Sequence, residues 1–393
     1  MSRKIQDNVY SVGVDDRTSH TFEALWPIPE GISYNSYLLD DSKVVLFDTV
    51  KDIKFSQFLG NITEAIGDKK IDYLVVHHLE PDHCGSIEML KKYYPEMKVI
   101  GNSKTVEFLE HIFPGLEDVE QVEDGQELST GSHTLIFYKT PMIHWPETMM
   151  TYEAKTGCLF SGDAFGSFRA NNGALFDGRN DLDKYEDDLL RYYSNIVGKY
   201  SSMVSKALGK LGELEINTIC PAHGTIWKDN PEWIINKYKK WSSQEGEKGV
   251  VIAYGSMYGN TERMISLLSE MLYEKGVEAV KVHNISETHS SYIVRDIWRY
   301  KGLVLAAPTY DTKVFPLMAN LLNLLTGKMV KNKVVGIMGT YGWSGGGVDG
   351  IKDFVEQARL ELAEPVIEAR FNAKAEQIEQ CRELAANLAS KLG

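Results

Sequence analysis

The chain has 393 residues, more than one hydrophobic core usually supports, so we expect two domains. Apolar residues make up 43% and charged residues 25%, and no run approaches the roughly 20 consecutive apolar residues that a membrane helix needs. A net charge of −13 without a long basic run argues against nucleic acid as a partner. The composition therefore predicts a globular protein that binds neither membranes nor nucleic acid.

The first residues and the cysteines both indicate the cytoplasm. The opening stretch MSRKIQDNVYSVGVDD carries charges throughout and lacks the apolar run and cleavage site of a secretory signal. Four widely spaced cysteines, Cys84, Cys158, Cys220 and Cys381, form no CxxC pair, which excludes a zinc knuckle or a compact iron–sulfur motif. We expect reduced, buried thiols in a cytoplasmic protein.

Two differently patterned halves meet at the polar stretch KWSSQEGEK, residues 240–248. Before it, alternating runs such as KVVLFDTV, HTLIFYKT and MMTYEA, with helical stretches such as FSQFLGNITEAIG, indicate a mixed α+β domain. After it, the continuous apolar runs GVVIAYGS, KGLVLAAPT and NKVVGIMGT each lead through small residues into a helical pattern. This pattern is typical of an α/β domain with a doubly wound parallel sheet. We place the domains at residues 1–248 and 249–393.

The first candidate site follows a buried strand in the segment IDYLVVHHLEPDHCGS. The strand YLVV leads into a loop that offers His78, Glu80, Asp82 and His83 within six positions. If extended geometry continues past the strand, alternation places His78 and Glu80 on one face and His77 on the other. We therefore exclude His77 as a ligand.

Three further candidates each follow an apolar run: His144 in PMIHWPE, Asp163 in LFSGDAFG and His223 in TICPAHGT. A lone histidine is more often a hydrogen-bonded imidazole, but Asp and Glu are seldom buried without a partner or a metal. Together with the first loop, these residues indicate convergence on metal. Four imidazoles with three carboxylates suit iron or manganese, and seven ligands suggest two metals. Asp163 is the natural bridge, since the other six divide into two sets of three.

A second kind of site is predicted where GVVIAYGSMYGNTERMISLLSEML turns from a strand into a helix. The turn comprises Ser256, Met257, Tyr258, Gly259, Asn260 and Thr261. Backbone N–H groups at a helix start bind phosphate, the Ser256 and Thr261 hydroxyls add donors, and Gly259 permits a tight turn. Without a Walker lysine or GxGxxG, a mononucleotide is favoured, and FMN suits this architecture. A plain helix cap is the alternative.

Two more strand-end loops supply aromatic rings and small residues that could hold a flat isoalloxazine ring. They comprise Pro308, Thr309, Tyr310 and Asp311 in one loop and Gly339, Thr340, Tyr341, Gly342 and Trp343 in the other. Ordinary buried packing is the alternative for either set of rings.

The pattern HxExDH, followed by a distant His, Asp and His, resembles the HxHxDH pattern of the metallo-β-lactamase superfamily with Glu in place of the second His, as is typical of flavodiiron proteins. The three later loops resemble flavodoxin over roughly residues 249–393. Read end to end, the chain resembles an A-type flavodiiron protein. The resemblance implies an N-terminal metallo-β-lactamase-like αββα sandwich followed by a C-terminal flavodoxin-like doubly wound parallel sheet.

The same resemblance implies a di-iron centre and FMN as cofactors. His78, Glu80 and His144 would bind one iron and Asp82, His83 and His223 the other, with Asp163 shared. In one variation within the family, water takes the place of the ligand at position 83. The implied activity is reduction of O2 to water, of NO to N2O, or of both, with electrons relayed through FMN, for detoxification of oxygen or nitric oxide.

Partners also follow from the resemblance. The CxxC pairs of a fused rubredoxin do not occur here, so the electrons would come from a separate donor such as rubredoxin or a reduced deazaflavin coenzyme. A head-to-tail homodimer, alone or within a homotetramer, would bring each FMN to the irons of the partner subunit. Five residues are candidates for a layer around the metals that donates protons or limits access of NO, although ordinary packing is the commoner role for each: His20, Trp26, Tyr192, Tyr193 and Tyr200.

Two other classes of function stay open at the sequence level. A di-zinc hydrolase would use the same fold to generate a nucleophilic hydroxide, although Glu80 and the flavodoxin-like half speak against it. A non-enzymatic electron carrier would need a degenerate metal half, which the full set of seven ligands makes implausible. Bound metal content separates the three classes.

Overall fold

The computed structural model describes residues 1–393, which form two compact units, Met1–Lys239 and Lys240–Gly393. This division precedes the boundary at residues 248 and 249 that the polar composition predicts. Residues of the polar stretch already belong to the second unit, because the Trp241 carbonyl accepts a hydrogen bond from Trp298 Nε1 at 3.1 Å and Gln244 Nε2 donates to Met329 O at 3.1 Å. None of the helices is both long and apolar enough to cross a membrane.

The first unit contains many short strands. They are Arg3–Gln6 (β1), Val9–Ser11 (β2), Val14–Asp16 (β3), Thr21–Phe22 (β4), Trp26–Pro27 (β5), Ile32–Tyr34 (β6), Tyr37–Asp40 (β7), Val44–Phe47 (β8), Tyr73–Val75 (β9), Lys98–Gly101 (β10), Val119–Gln121 (β11), Glu127–Ser129 (β12), Thr134–Lys139 (β13), Met149–Glu153 (β14), Cys158–Gly162 (β15) and Thr218–Pro221 (β16). One sheet has the order β1-β2-β7-β8-β9-β10-β11 and a second the order β12-β13-β14-β15-β16, while β3 pairs with β6 and β4 with β5.

The two large sheets pack face to face. Apolar side chains from alternate positions of both sheets share one buried core, including Phe47 of β8, Leu135 of β13 and Phe160 of β15. The rings of Phe47 and Phe160 stack with 3.8 Å between their centroids. The strands from β8 to β11 are parallel, as are β15 and β16, so their carboxyl ends collect at sheet edges where loops can carry chemistry.

Helices flank this core. They are Phe55–Ile66 (α1), Pro81–Cys84 (α2), Ile87–Tyr93 (α3), Ser103–Ile112 (α4), Leu182–Tyr192 (α5), Ser201–Leu211 (α6) and Pro231–Ser243 (α7), which runs across the division between the units. A π-helical turn, Tyr193–Val197, follows α5, and short 3-10 turns span Asp52–Lys54, Asp177–Arg179 and Gly198–Tyr200. The core between the sheets is built from strand and loop residues, so α1 and α4 lie outside it. Two sheets packed together with helices outside them are the expected αββα layers.

The second unit alternates strands and helices. Its strands are Glu247–Tyr254 (β17), Val280–Asn284 (β18), Tyr300–Tyr310 (β19), Lys313–Val314 (β20), Val334–Tyr341 (β21), Glu361–Leu362 (β22) and Ile367–Arg370 (β23). Its helices are Asn260–Glu274 (α8), Ser290–Arg299 (α9), Pro316–Gly327 (α10), Gly347–Gln357 (α11) and Ala375–Leu392 (α12).

The sheet of the second unit is parallel apart from the short β20, with the order β18-β17-β19-β21 followed by β22 and β23 along the outer edge. Val250 and Ile252 point from β17 into a core shared with α8 and α12. Helices α9 and α11 also contact the sheet. This is the expected flavodoxin-like strand order, in which the switch point for a ligand lies between the loops after β17 and β19.

Candidate functional site

The seven residues predicted as metal ligands lie on loops and helix starts that follow strands of the first unit. His78 and Glu80 come after β9, and Asp82 and His83 stand in the short helix α2. The others follow the second sheet: His144 lies between β13 and β14, Asp163 directly follows β15, and His223 comes two residues after β16. All seven side chains are buried.

Their ligand atoms gather into two groups. One consists of His78, Glu80, His144 and Asp163, and the other of Asp82, His83 and His223, with the atoms of each group within 4.8 Å of one another. In the first group, His144 Nε2 lies 3.2 Å from Glu80 Oε2, and His78 Nε2 lies 3.4 Å from the same oxygen. In the second, His223 Nε2 lies 3.3 Å from Asp82 Oδ2.

Asp163 stands between the groups. Its Oδ2 faces the first, 3.5 Å from His78 Nε2 and 3.3 Å from His144 Nε2. Its Oδ1 faces the second, 3.1 Å from His83 Nε2 and 3.4 Å from His223 Nε2. One carboxylate oxygen is thus directed at each group, which is the geometry that a bridging ligand requires.

Buried polar atoms at this centre lack hydrogen-bond partners. Both oxygens of Asp82, both oxygens of Asp163, and Nε2 of His83 and of His223 are in this state. Buried charges and polar atoms of this kind are costly unless something compensates them. Imidazole nitrogens and carboxylate oxygens together suit iron or manganese, so the residues present fit a pair of such ions.

The charges of the cluster perturb its titration. Burial would lower the pKa of His144, but the Asp163 and Glu80 carboxylates outweigh it and hold the pKa at about 9. Burial would likewise lower the pKa of His223, but the Asp163 and Asp82 carboxylates outweigh it and hold this pKa at about 10. Burial would raise the pKa of Asp163, yet the surrounding imidazoles hold it well below its usual value. The cluster therefore attracts cations, and a bound metal would replace the protons on its imidazoles.

A second layer of residues orients the imidazoles. His78 Nδ1 is hydrogen-bonded to Glu147 Oε1 at 2.7 Å, and His223 Nδ1 donates to the Ser33 carbonyl at 2.7 Å. Both bonds leave Nε2 directed at the centre, as in many metal sites. Glu147 is not among the residues predicted from the sequence, although a carboxylate three residues after a ligand histidine in the loop PMIHWPE was the available signal.

His77 faces a different environment from its neighbour. Its Nδ1 lies 2.7 Å from Asp48 Oδ2, and its Nε2 lies 2.8 Å from Thr151 Oγ1. Its ring stacks on Phe47 in the core. Both ring nitrogens are thus engaged away from the cluster, in agreement with its exclusion from the ligand set.

An aromatic cage surrounds His223. The rings of Phe22, Tyr34 and Tyr192 have centroids 5.6, 6.1 and 5.7 Å from the centroid of the His223 ring. The Tyr192 hydroxyl is buried and has no hydrogen-bond partner. Burial, reinforced by the charge of Asp163, raises the pKa of Tyr192 well above its usual value, so this hydroxyl keeps its proton.

The other four residues considered for this layer have different surroundings. The Tyr193 hydroxyl is 3.1 Å from Ser201 Oγ, and Trp26 Nε1 donates to Glu23 Oε2 at 2.9 Å. His20 is exposed, and half-buried Tyr200 has the Lys199 ammonium 5.5 Å from its ring centroid. The Tyr192 ring contacts the ring of His223, a predicted ligand.

The second unit has a cavity of about 820 Å³, open mouth included, at the switch point of its sheet. It is lined by residues of all three predicted loops: Ser256, Met257, Tyr258, Asn260, Thr261, Pro308, Thr309, Tyr310, Asp311, Thr340, Tyr341, Gly342 and Trp343. Aromatic walls, loop N–H groups and hydroxyls suit a flat ring carrying a phosphate, so the cavity fits FMN.

The predicted and the observed lining of this cavity differ at five residues. Thr312, Ser344 and Phe371 also line it and were missed, because they lie just outside the loops or on the next strand's loop. Gly259 and Gly339 were predicted but do not line it. Gly259 has a φ of 82°, which favours glycine, and a Cβ on Gly339 would lie 2.3 Å from the Val348 side chain.

Comparison with known proteins agrees with the fold of both units. Residues 32–224 match the family model described as ODP family beta lactamase, and residues 252–384 match that of flavodoxin. The chain is 31% identical to a nitric oxide reductase of Moorella thermoacetica, over 99% of this chain and 98% of that one.

Solved structures extend this similarity. Rubredoxin oxygen:oxidoreductase from Desulfovibrio gigas superimposes with a TM-score of 0.95 and 31% identity, covering 100% of this chain and 98% of the other. The flavodiiron protein of Giardia intestinalis gives a TM-score of 0.94 and 28% identity, covering 100% and 97%. The fold and the two sites define a fusion of a metallo-β-lactamase-like unit with a flavodoxin. The chain belongs to the flavodiiron proteins, whose cofactors are a di-iron centre and FMN.

Proposed function

We propose that this protein reduces O2 to water, NO to N2O, or both, at two irons that receive electrons through FMN. The observation that carries the proposal is the position of Asp163, with one oxygen toward each of two imidazole and carboxylate groups. The residues of this centre would hold two redox-active ions, and FMN bound in the pocket of the second unit would supply an electron store. The similarity to a nitric oxide reductase and to an oxygen oxidoreductase supports both substrates.

The proposed ligand sets follow the two groups of atoms. One iron would be held by His78, Glu80 and His144, and the other by Asp82, His83 and His223, with Asp163 between them. We include His83 as a ligand because its buried Nε2 is directed at Asp163 Oδ1.

The second unit would hold FMN with its phosphate at the start of α8 and its ring among the three loops. The bound flavin would supply electrons in single steps to the irons. Thr261 Oγ1 lies 2.9 Å from Thr340 Oγ1, which ties the first loop to the third and keeps the two walls of the pocket in place.

The chain's own residues would control water and protons around the irons. Phe22 and Phe168 pack against Tyr192 beside His223 and present apolar edges that exclude water. Tyr192 would keep its proton, because burial raises its pKa, and its partnerless hydroxyl would offer a hydrogen bond to an oxygen or nitrogen atom of the substrate.

Partners are part of the proposal. A separate electron donor would dock at the flavin, and the name of the Desulfovibrio gigas neighbour supports rubredoxin over a reduced deazaflavin coenzyme. Exposed aromatic rings rim the flavin cavity, with Trp343 87% and Tyr258 83% exposed. Exposed apolar surface of this kind marks an interaction site, which supports a head-to-tail homodimer, alone or within a tetramer. Four free, buried cysteines suit the reducing cytoplasm.

The activity is tested on the full-length protein, purified without oxygen, reduced with dithionite and mixed with O2 or with NO in a stopped-flow instrument. We expect reoxidation of the flavin together with consumption of at least one gas. Replacing Asp163 with Asn should lower bound iron and turnover while leaving FMN content unchanged. A protein that contains iron and FMN but consumes neither gas would overturn the proposal.

A further inference from the structure

Arg263 lies on the first turn of α8, outside the lining of the flavin cavity, and its side chain is bonded to Asn260, which lines that cavity. We infer that its guanidinium provides the positive charge that recognises the phosphate of FMN, and that it makes the pocket selective for FMN over riboflavin. The inference rests on the FMN site of the proposed function and adds to it a residue outside the three predicted loops.

The guanidinium is fixed in position by two side chains. Its Nη2 donates to Oδ1 of Asn260, in the first loop, and to Oδ1 of Asn372 at 2.9 Å. Its Nη1 lies 3.2 Å from the place a Cβ on Gly259 would occupy. The charge is therefore held against the turn whose backbone N–H groups open the helix, where a phosphate binds.

The loop needs such a charge because its hydroxyls are only partly available. Thr261 is buried, and its hydroxyl is paired with that of Thr340 at 2.9 Å. Ser256 Oγ accepts a hydrogen bond from the Gly259 N–H at 3.1 Å, which leaves Ser256 one proton to donate. The predicted donors of the loop thus offer little to a doubly charged phosphate beyond backbone N–H groups.

No other positive charge near the cavity is placed to face the phosphate at the start of α8. None of the residues that line the cavity is basic, and Asp311 is acidic. Glu262 also lies in the first turn of α8, where it opposes an anion. Arg370 donates from Nε to the Gly342 carbonyl at 2.9 Å and so belongs to the third loop, away from the helix start. Arg263 is the cation that offsets Glu262 at the phosphate position.

The test compares two ligands that differ in the phosphate alone. Flavin is removed from the full-length protein, and FMN or riboflavin is titrated back while quenching of flavin fluorescence is followed at low and at moderate salt. Arg263→Gln should weaken FMN about tenfold and leave riboflavin unchanged, since it removes one charge-assisted interaction at a partly exposed site. The salt dependence of FMN binding should fall as well.

Two further variants separate charge from structure. Arg263→Lys keeps the charge but replaces the planar guanidinium with an ammonium group, so its affinity for FMN should lie between those of the unaltered protein and of Arg263→Gln. Arg382→Gln removes an equal charge from α12, where Arg382 pairs with Glu379, and should leave both affinities unchanged. Equal weakening of FMN and riboflavin by Arg263→Gln, or no weakening of either, would overturn the inference. Failure of the unaltered protein to bind FMN would instead refute the proposed flavin site.

Discussion

Glu147 illustrates how a residue outside the ligand set can control the metals. Its Oε1 accepts hydrogen bonds from His78 Nδ1 at 2.7 Å and from the Leu79 N–H at 3.0 Å. Replacing Glu147 with Gln should loosen the orientation and lower the basicity of His78, which weakens iron binding by about 10- to 100-fold. Iron released to a chelator over time, measured against constant FMN content, checks this expectation.

The chain provides a matched control for that variant. Glu153 is also a buried carboxylate on an imidazole, with Oε1 3.0 Å from His133 Nδ1, but neither residue belongs to the metal cluster. Glu153→Gln should lower thermal stability and leave iron retention as it was. If both variants release iron at the same rate, Glu147 acts through general stability and the positioning role is wrong.

Replacement of Tyr192 tests the role of its hydroxyl beside the metals. Because its buried hydroxyl has no partner within the protein, Tyr192→Phe should fold with full iron and FMN. Loss of this hydrogen-bond donor beside the metals should slow gas reduction by about tenfold or more. Single-turnover rates with O2 and NO measure the effect. Tyr193→Phe is the control, since that hydroxyl bonds to Ser201, and equal rates in the two variants would count against Tyr192.

Residue types and spacing were sufficient to find the cluster around Asp163, because buried carboxylates and imidazoles after strands are hard to explain by packing. They were insufficient for Glu147, whose role depends on a hydrogen bond to His78, a residue distant in sequence. Phe22 was missed for a related reason. Its contact with His223 joins β4 to a loop about 200 positions later in the chain, and no local pattern records such a contact.

The strands of the second unit were easier to predict from the sequence than those of the first. Its long apolar strands, such as β17 and β19, are buried on both faces of a parallel sheet, so their sequences read as continuous apolar runs. The short pair β4 and β5 was not predicted, since two residues a strand give no periodicity. Its turn places Glu23 and Ala24 at φ of 49° and 54°, values that neither residue type favours.

Lys333, the residue before β21, makes the second unit sensitive to pH. It is buried, its Nζ donates to the Tyr300 carbonyl at 2.8 Å, and burial lowers its pKa to about 7 from 10.5. Between these values the unfolded chain binds a proton that the folded chain lacks. The free energy of unfolding should therefore rise with pH, by up to about 1.4 kcal/mol per unit.

Replacement of Lys333 by Met should remove this slope and stabilise the unit near neutral pH, where the lysine is the more costly group. Denaturant titrations from pH 7 to 10, in which unfolding is monitored through the release of FMN, measure the change in this slope. Lys331→Met, at an exposed neighbouring position, should retain the slope of the unaltered protein. Identical slopes in the two variants would show that Lys333 does not bury its amine in a deprotonated state.

For the whole molecule, the proposed homodimer depends on the aromatic rim of the flavin cavity. Trp343→Glu puts a charge at its most exposed ring and should convert dimers to monomers in analytical ultracentrifugation. Each monomer should keep its iron but lose most gas reduction, because the flavin site would no longer meet a partner's irons. Tyr273→Glu alters an equally prominent ring on α8, 71% exposed and outside the cavity, and should remain dimeric. A dimeric, fully active Trp343→Glu variant would place the interface elsewhere.

One chain unites a di-iron centre with a flavin. Elemental analysis and flavin quantitation on protein purified without oxygen measure both cofactors at once. The geometry around Asp163 and the cavity of the second unit predict two iron atoms and one FMN for each chain. Two zinc atoms with neither iron nor flavin would contradict the claim and return the protein to the hydrolases of the same fold.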